Sequence, residues 1–284
     1  MILDVGDIES TLKGYERLAQ FAAKMGDCAF EKICLDFSAC DWFDANMSAP
    51  LGVVLAHATD GFNDISIKDM HKGTEEILAR NGFLTSYGYA PRKDNFGTTI
   101  PYRRLNADDE RYFTTYVSQH LKRQKIPAMT EALSRRFKGS IMEVFINAAA
   151  HSETELGIFA CGQYFPKKER LDFSIADAGI GIRKKIAKEL GLKMNSDKAI
   201  EWALRKGNTV RKGKIPGGLG LKLLKEFVTL NEGRLQIISD RGYWEMNGRK
   251  ETLTRMGCSF PGTVVNIEIN TADTKSYRLL SEDN

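Results

Sequence analysis

A carboxylate, an amide and an imidazole recur one helical turn apart in the middle of the chain. They are Glu143, Asn147 and His151, in the stretch EVFINAAAH. At helical pitch this spacing places all three side chains on one face. The Asn carbonyl oxygen can complete an octahedral Mg²⁺ shell, and the Glu one turn earlier can orient or deprotonate a water. Taken alone, such a pair is also typical of an ordinary solvated helix face.

A second carboxylate ends a predicted strand. Residues 171–177 (LDFSIAD) alternate apolar and polar side chains, and the turn after Asp177 contains Gly179 and Gly181. An Asp at this place can accept a hydrogen bond from an exocyclic amine, and glycines without a Cβ let a flat base approach the backbone. A β-turn capped by the Asp is the alternative explanation of this motif by itself.

A glycine-rich loop, PGGLG, precedes a predicted amphipathic helix that begins near Leu221. Backbone N–H groups at a helix N-terminus bind phosphate well, so the loop indicates an anion site, with a simple hinge as the alternative. A clean strand at 264–269 follows, and Thr263 at its start is expected to offer its hydroxyl to Asp177. The loop residues expected to contact a ligand are Gly217, Gly218, Leu219 and Gly220.

These four ordered motifs resemble the ATP-binding motifs of the Bergerat-fold superfamily, which includes gyrase B, heat-shock chaperone ATPases, MutL and histidine kinases. The resemblance covers about residues 136 to 271. It implies that Asn147 is the Mg²⁺ ligand, and that Asp177 reads adenine with Thr263 as its partner at the base. Glu143 matches the general base of the hydrolysing members, a position also present in anti-sigma serine kinases. The glycines of both boxes become contacts to ATP.

The segment between the two glycine boxes, 182–216, corresponds to the ATP lid of that superfamily. Its first basic run, 183–188, is expected to be a solvated helix face. Its second basic cluster abuts the phosphate loop, and Arg211 and Lys214 are the candidates for closing on the γ-phosphate. A cation there would offset charge as the terminal phosphoryl group departs. His151 either touches phosphate or hydrogen-bonds to backbone at the helix end.

The first part of the chain predicts a smaller α/β unit. Strands are expected at 32–37 and 65–68, and helices at 49–58 and 74–80. The run from residue 35, LDFSACDWFDANMS, resembles the phosphoacceptor turn of STAS domains, but Ala45 and Asn46 stand where the serines would be. The resemblance implies a unit that has lost phosphorylation and keeps a docking or assembly surface. Ser48 is expected to cap the following helix, with a displaced phosphoacceptor as the alternative.

The predicted class is α+β, with a Bergerat-type α/β sandwich whose mixed sheet is covered on one face by helices. The predicted divisions are a STAS-like domain with a loop and crossing segment from residue 84 (1–106), a connecting helix (107–135), the sandwich (136–271) and a polar tail (272–284). The insert 242–257 is expected to be a loop between the last two strands. Its Trp244, Met246 and Met256 serve either a partner-facing surface or the core.

Composition limits the functions open to this chain. Its 284 residues, 42% hydrophobic, suffice for two domains with proper cores. The net charge of +4 gives no indication of nucleic-acid binding. Five cysteines without CxxC spacing predict reduced thiols. No run approaches about 18 apolar residues, so a cytoplasmic protein without a membrane partner is expected.

The resemblance implies three classes of function. The first is a slow Mg²⁺-dependent ATPase whose lid and domains rearrange with nucleotide state to control a protein partner. The second is an anti-sigma-type serine kinase acting on a separate STAS-like partner. The third is a nucleotide-gated binding module without turnover. A homodimer through the first domain or the helix predicted at 108–124 is compatible with the sequence.

Overall fold

Helices and strands alternate along the chain and form the α+β fold that the sequence predicts. The computed structural model describes residues 1–121, 126–205, 219–279 and 282. Within these residues the strands form a three-stranded parallel sheet, a five-stranded sheet and a pair of two-residue strands. Every pairing in the five-stranded sheet is antiparallel, so parallel and antiparallel pairings lie in separate sheets rather than in one mixed sheet.

The N-terminal unit is a parallel sheet whose strands are joined by helices, because parallel neighbours need a crossover connection. Its elements are β1 (Ile2–Asp4), α1 (Leu12–Met25), β2 (Lys32–Asp36), α2 (Ser48–Asp60), β3 (Asp64–Lys68) and α3 (Lys72–Arg80), with sheet order β1-β2-β3. The strands and helices predicted for this part of the chain are all confirmed, within a few residues of their predicted bounds.

The rest of the chain builds the five-stranded sheet and the helices on it. Its elements are β4 (Thr99–Leu105), α4 (Glu110–Leu121), β5 (Ala128–Met129), α5 (Glu131–His151), β6 (Ile158–Phe165), β7 (Arg170–Asp177), α6 (Gly181–Leu190), α7 (Ser196–Leu204), α8 (Leu219–Asn231), β8 (Arg234–Asn247), β9 (Lys250–Asn270) and β10 (Ser276–Tyr277). The sheet order is β4-β6-β7-β9-β8. Across the described ranges, none of the helices is long and apolar enough to cross a membrane.

Two predicted domain boundaries separate residues that the structure joins in one element or one sheet. The end of the predicted crossing segment is not a loop, since β4 pairs with β6 as the edge strand of the five-stranded sheet. Pro101 is tolerated there because an edge strand can do without one N–H group. The boundary at 135/136 cuts a helix: α5 begins at Glu131, and the Thr130 hydroxyl caps it by accepting from the N–H of Leu133.

The predicted loop at 242–257 is wrong, because β8 and β9 form one long hairpin. Asn247 pairs with Lys250, which leaves a two-residue turn at Gly248 and Arg249. Asn-Gly flanked by alternating side chains is a strong hairpin signal, and it outweighs the polar composition of the insert. The three large side chains of this segment are Trp244, Met246 and Met256, and each is at most 3% exposed. Of the two predicted roles, core packing is therefore confirmed and the partner-facing surface is not.

Both faces of the five-stranded sheet are covered. Helices α4, α5 and α8 pack on one face, around Phe113, Phe145 and Phe227. Helices α1 and α2 pack on the other face, where Leu18 and Val53 share one hydrophobic cluster with side chains of the sheet. The N-terminal unit therefore lies against the back of the sheet and shares its core, instead of standing apart as a separate module.

Asn46, which the sequence resemblance places where an acceptor serine would stand, is buried in the contact between the two units. Its Nδ2 donates to Ser10 Oγ at 2.8 Å and to Asn266 Oδ1 at 3.0 Å. Ser48 is the first residue of α2 rather than its N-cap, and its buried hydroxyl accepts a hydrogen bond from Asn81 Nδ2 at 2.9 Å. The predicted capping role of Ser48 is wrong, since it serves this internal hydrogen bond instead.

A cluster of charged side chains crosses the same contact. Arg170 on β7 lies 3.0 Å from a carboxylate oxygen of Asp44, 3.0 Å from Asp172 and 3.4 Å from Glu268. Asp44 and Asp172 are fully buried. Burial, followed by the nearby Glu268 carboxylate, raises the pKa of Asp172. The guanidinium of Arg170, together with Arg234 at 2.5 Å from Glu268, thus offsets the charge of the acidic side chains that lie close together between the units.

Candidate functional site

A cavity of about 190 Å³ lies between helices α5, α6 and α7 and the front face of the five-stranded sheet. Five residues singled out from three separate sequence motifs line it together, and they are Asn147, His151, Asp177, Gly181 and Thr263. Most other lining side chains are apolar, from β7, β8, β9 and the helices above them. An apolar slot with a few convergent polar groups is the usual form of a small-molecule site.

Helix α5 supplies the polar residues on one wall of the cavity. Asn147 and His151 lie one turn apart and line it together with Val144 and Ala148, as their helical spacing predicts. Glu143 lies one turn earlier on the same helix and is half-buried. It is not among the lining residues of the described cavity, so it stands at the border of the site rather than in its wall.

Asp177 ends β7 at the floor of the cavity and is 6% exposed. Its Oδ1 accepts a hydrogen bond from the N–H of Gly179 at 3.0 Å. Burial raises the pKa of this carboxyl to about 7, while hydrogen bonds from the backbone of Gly179 and Thr263 lower it. The carboxylate thus faces N–H donors of the protein and remains an acceptor for a donor on a ligand.

Close approaches of the backbone explain why Gly179 and Gly181, the two glycines after Asp177, have no side chain. A Cβ on Gly179 would lie 2.1 Å from the carbonyl oxygen of Ser152, so the close approach there is to the protein itself. Gly181 has φ +78° and lines the cavity, and a Cβ there would meet Ser239 Oγ at 2.9 Å. At both glycines the close approach is thus to the protein itself, and Gly181 also lines the cavity.

Thr263 lies directly opposite Asp177 in the antiparallel register of β7 and β9. It is in the interior of β9 and not at the start of a strand, because the hairpin extends far beyond it. Its hydroxyl lies 3.1 Å from Ser239 Oγ, and its backbone hydrogen-bonds to the Asp177 carboxylate. The predicted partnership with Asp177 is thus made through the backbone, while the hydroxyl contacts Ser239.

Ser239 is a residue of the site that the sequence motifs did not indicate. Its Oγ accepts a hydrogen bond from the N–H of Ile182 at 2.9 Å and donates to the carbonyl of Gly262 at 3.2 Å. It therefore ties the start of α6 to the β9 segment that carries Thr263. A lone serine inside a strand carries no sequence signal for this role, since the role depends on long-range pairing.

The basic run predicted to be a solvated helix face is partly built into the structure. Lys185 lines the cavity, its side chain is 12% exposed, and its Nζ lies 2.8 Å from Glu153 Oε1. Arg183 pairs with Asp240 at 2.5 Å. The prediction is wrong for Lys185, because α6 lies across the edge of the cavity, whereas the Arg183 side chain is 40% exposed as expected. Lys185 is a cation beside the site that sequence reasoning missed.

Helix α7 closes the cavity with an apolar wall. Its lining residues are Ile200, Trp202, Ala203 and Leu204. Helix α8 begins at Leu219 and Gly220, and Leu221 lines the cavity, so the N-terminal end of that helix lies beside it. The remaining predicted contacts lie outside the described residues; they are Arg211, Lys214, Gly217 and Gly218.

The metal expectation rests on a single amide. Across the described ranges, no group of three or more His, Cys, Asp or Glu side chains could hold a metal ion. A Mg²⁺ ion that keeps several waters and binds substrate phosphates requires no such cage, and one Asn oxygen in the cavity wall fits it. Asn147 is therefore the described residue that could hold Mg²⁺ together with a phosphorylated ligand.

Two comparisons with known proteins bear on this site. No protein-family model matches the chain, and a search of curated proteins gives no match. The geometry of the cavity and the residues that line it are therefore what a functional assignment has to rest on.

Proposed function

We propose that this chain binds Mg-ATP in the cavity and hydrolyses it slowly, as a regulator of a protein partner. One observation carries the proposal. Asn147, Asp177 and Thr263 were selected from three different sequence motifs, Gly181 comes from the motif of Asp177, and all four line the same cavity. Three ordinary surface motifs spread over more than a hundred residues would have no reason to converge in this way.

Each end of the cavity suits one end of ATP. At the floor, the Asp177 carboxylate accepts from the exocyclic amine of adenine, and the apolar side chains around it suit a flat base. Towards α5, Asn147 faces the phosphates, and Lys185 and His151 stand beside it as groups that attract or donate to an anion. In this arrangement the apolar part of the lining surrounds the base, and the polar part faces the phosphates.

The chemical step needs a water and a charge to stabilise the departing phosphate. Mg²⁺, when bound, would supply charge stabilisation at the phosphoryl oxygens. Glu143, one turn from Asn147, is placed to hold or deprotonate the attacking water. Asn147 orients the phosphates towards that water. In this proposal Glu143 acts through the attacking water and does not contact ATP.

A serine kinase is the second candidate, and the buried contact between the units decides what it could act on. Asn46 replaces an acceptor serine and Ser48 is enclosed, so the N-terminal unit offers no phosphoacceptor at these positions. A kinase built on this site would therefore need a separate STAS-like partner. The fate of the γ-phosphoryl group separates the two candidates.

Glu143→Ala is expected to lower release of labelled phosphate from γ-labelled ATP by about 100-fold or more, the lower part of the range for a lost general base. Affinity for ATP should change by less than a few fold, since Glu143 is not in the cavity wall. The measurement is phosphate release by purified full-length protein with Mg²⁺, together with ATP affinity. Glu131→Ala is the matched control, because Glu131 opens the same helix and pairs with exposed Arg135.

The outcomes of that experiment are distinct. Equal phosphate release by wild type and Glu143→Ala would remove Glu143 from the chemistry. Tight ATP binding with no phosphate release would contradict the hydrolase, and transfer of label to an added STAS-like protein would establish the kinase. Failure of the wild type to bind ATP would contradict the proposed function altogether.

A further inference from the structure

Helix α2 of the N-terminal unit carries a histidine that reaches the backbone on both sides of the cavity floor. His57 Nε2 donates to the carbonyl oxygen of Pro261 at 3.0 Å, and the backbone of Ala178 lies close enough to the ring to affect its pKa. Pro261 lies two residues before Thr263, and Ala178 directly follows Asp177. One imidazole thus contacts both backbone segments that carry the polar floor of the site.

Those two segments are pressed together. Gly262 has φ +144°, and a Cβ there would lie 1.9 Å from the carbonyl oxygen of Asp177. Thr263 pairs with Asp177 across the sheet, and its backbone hydrogen-bonds to the Asp177 carboxylate. Close-packed interiors transmit displacements rather than absorb them. A shift at Pro261 therefore moves the hydrogen-bond partner of the Asp177 carboxylate.

Helix α2 is itself held firmly on the back of the sheet. A Cβ on Gly52 would lie 2.4 Å from Tyr102 Oη and 3.0 Å from the ring of Phe159, so the helix backbone touches both side chains closely. Ala178 and Val264 belong to the same hydrophobic cluster as the buried face of α2. The position of α2 is therefore linked to the position of both floor segments.

The protonation state of the His57 ring determines which of its nitrogens can donate a hydrogen bond. Burial lowers the pKa of His57, against opposing contributions from the backbone of Pro261 and Ala178 and from the Asp60 carboxylate, with Lys184 acting in the same direction as burial. The ring is therefore neutral at neutral pH. A neutral imidazole has one N–H, and the contact with the Pro261 carbonyl requires that this N–H be on Nε2.

We propose that His57 is a positioning residue through which the N-terminal unit sets the affinity of the nucleotide site. It touches no ligand and acts by holding the backbone segments that carry Asp177 and Thr263. This inference rests on the proposed binding of ATP in the cavity. Coupling of this kind is reciprocal: if α2 stabilises the ATP-binding arrangement, ATP stabilises the contact with α2. The N-terminal unit is thus a built-in regulator of the site and not only a docking surface.

The test is calorimetric titration of Mg-ATP into the full-length wild type and three variants. His57→Ala is expected to weaken ATP binding by about 10-fold, a typical coupling between sites. His57→Gln keeps an N–H that can reach a carbonyl, so it should retain most of the affinity. His71→Ala is the matched control, since His71 lies on the same unit, contacts the carbonyl of Ser38 at 2.8 Å and is remote from the cavity lining.

Amide hydrogen exchange supplies a second readout that does not depend on any variant folding. Mg-ATP should slow exchange in residues 48–60 of the wild type, and this protection should be lost in His57→Ala. The inference would be overturned if wild type and His57→Ala bound ATP with equal affinity. It would also be overturned if ATP did not change the exchange rate of residues 48–60 in the wild type. Neither result would contradict ATP binding itself. A wild type that binds no ATP would instead overturn the proposed function.

Discussion

Asp177→Asn is expected to lower the affinity for ATP by about 100-fold, in line with the roughly 1.5–3 kcal/mol of a hydrogen bond to a charged group. The described neighbours of the carboxylate are N–H donors from Gly179 and Thr263, and the adenine amine would be a third donor. An Asn side chain puts its own NH₂ among these donors, where it has no acceptor. The same unpaired NH₂ should also lower stability without ATP by about 1–3 kcal/mol, so the free energy of unfolding is measured beside the affinity.

Asp172→Asn is the matched control for that change. Asp172 and Asp177 lie on the same strand, are both buried and both have raised pKa values, but Asp172 faces the N-terminal unit. We expect it to leave calorimetric ATP affinity unchanged.

Wild-type affinity should also rise as the pH increases through about 7, because the accepting carboxylate form of Asp177 then predominates. Asp177→Asn should lose this pH dependence. Unchanged affinity in Asp177→Asn would remove it from the site.

Arg170→Ala is expected to destabilise the protein by about 3–5 kcal/mol, the typical effect of breaking a buried ion pair. The change removes the guanidinium shared by Asp44, Asp172 and Glu268, while Glu268 keeps Arg234 at 2.5 Å. The measurement is the free energy of unfolding from urea titration. Arg135→Ala is the control, since its partner Glu131 is 91% exposed and a pair of that kind contributes little. Equal effects of the two changes would contradict the role given to this cluster.

The same cluster gives a pH dependence of known sign. The raised pKa of Asp172 means that the folded state binds a proton that the unfolded state has released. Stability attributable to Asp172 therefore falls as the pH rises from the ordinary Asp value towards the raised one. Asp172→Asn cannot lose that proton, so its urea midpoint should exceed that of wild type increasingly over this window. An identical pH profile for both proteins would contradict the raised pKa.

Local sequence patterns predicted most of the helices and strands, but fewer of the pairings between strands. The apolar alternation of β7 and the turn glycines after it were sufficient to place a strand ending at Asp177. The edge strand β4 was missed because Pro101 and a polar composition suggest a loop, and only pairing with β6 makes it a strand. The hairpin of β8 and β9 was missed although Asn247-Gly248 indicates it, since glycines farther along suggested a loop.

In the candidate site too, local patterns predicted some residues, whereas others depend on long-range contacts. Asn147 and His151 follow from helical spacing on one element, and the structure places both in the cavity wall. Ser239, Lys185 and His57 acquire their positions through contacts between elements far apart in sequence, which no local pattern encodes. The side chains that position a site are therefore harder to find from sequence than those that face a ligand.

Titration of full-length wild type with ATP, in Mg²⁺ and again in excess chelator, tests the central claim most directly. We expect saturable one-to-one binding that weakens without Mg²⁺, and we expect Asn147→Ala to abolish most of that difference. GTP, which lacks the exocyclic amine at the same ring position, should bind more weakly. Absence of a binding heat together with an unfolding temperature that does not respond to Mg-ATP would contradict ATP binding in this cavity.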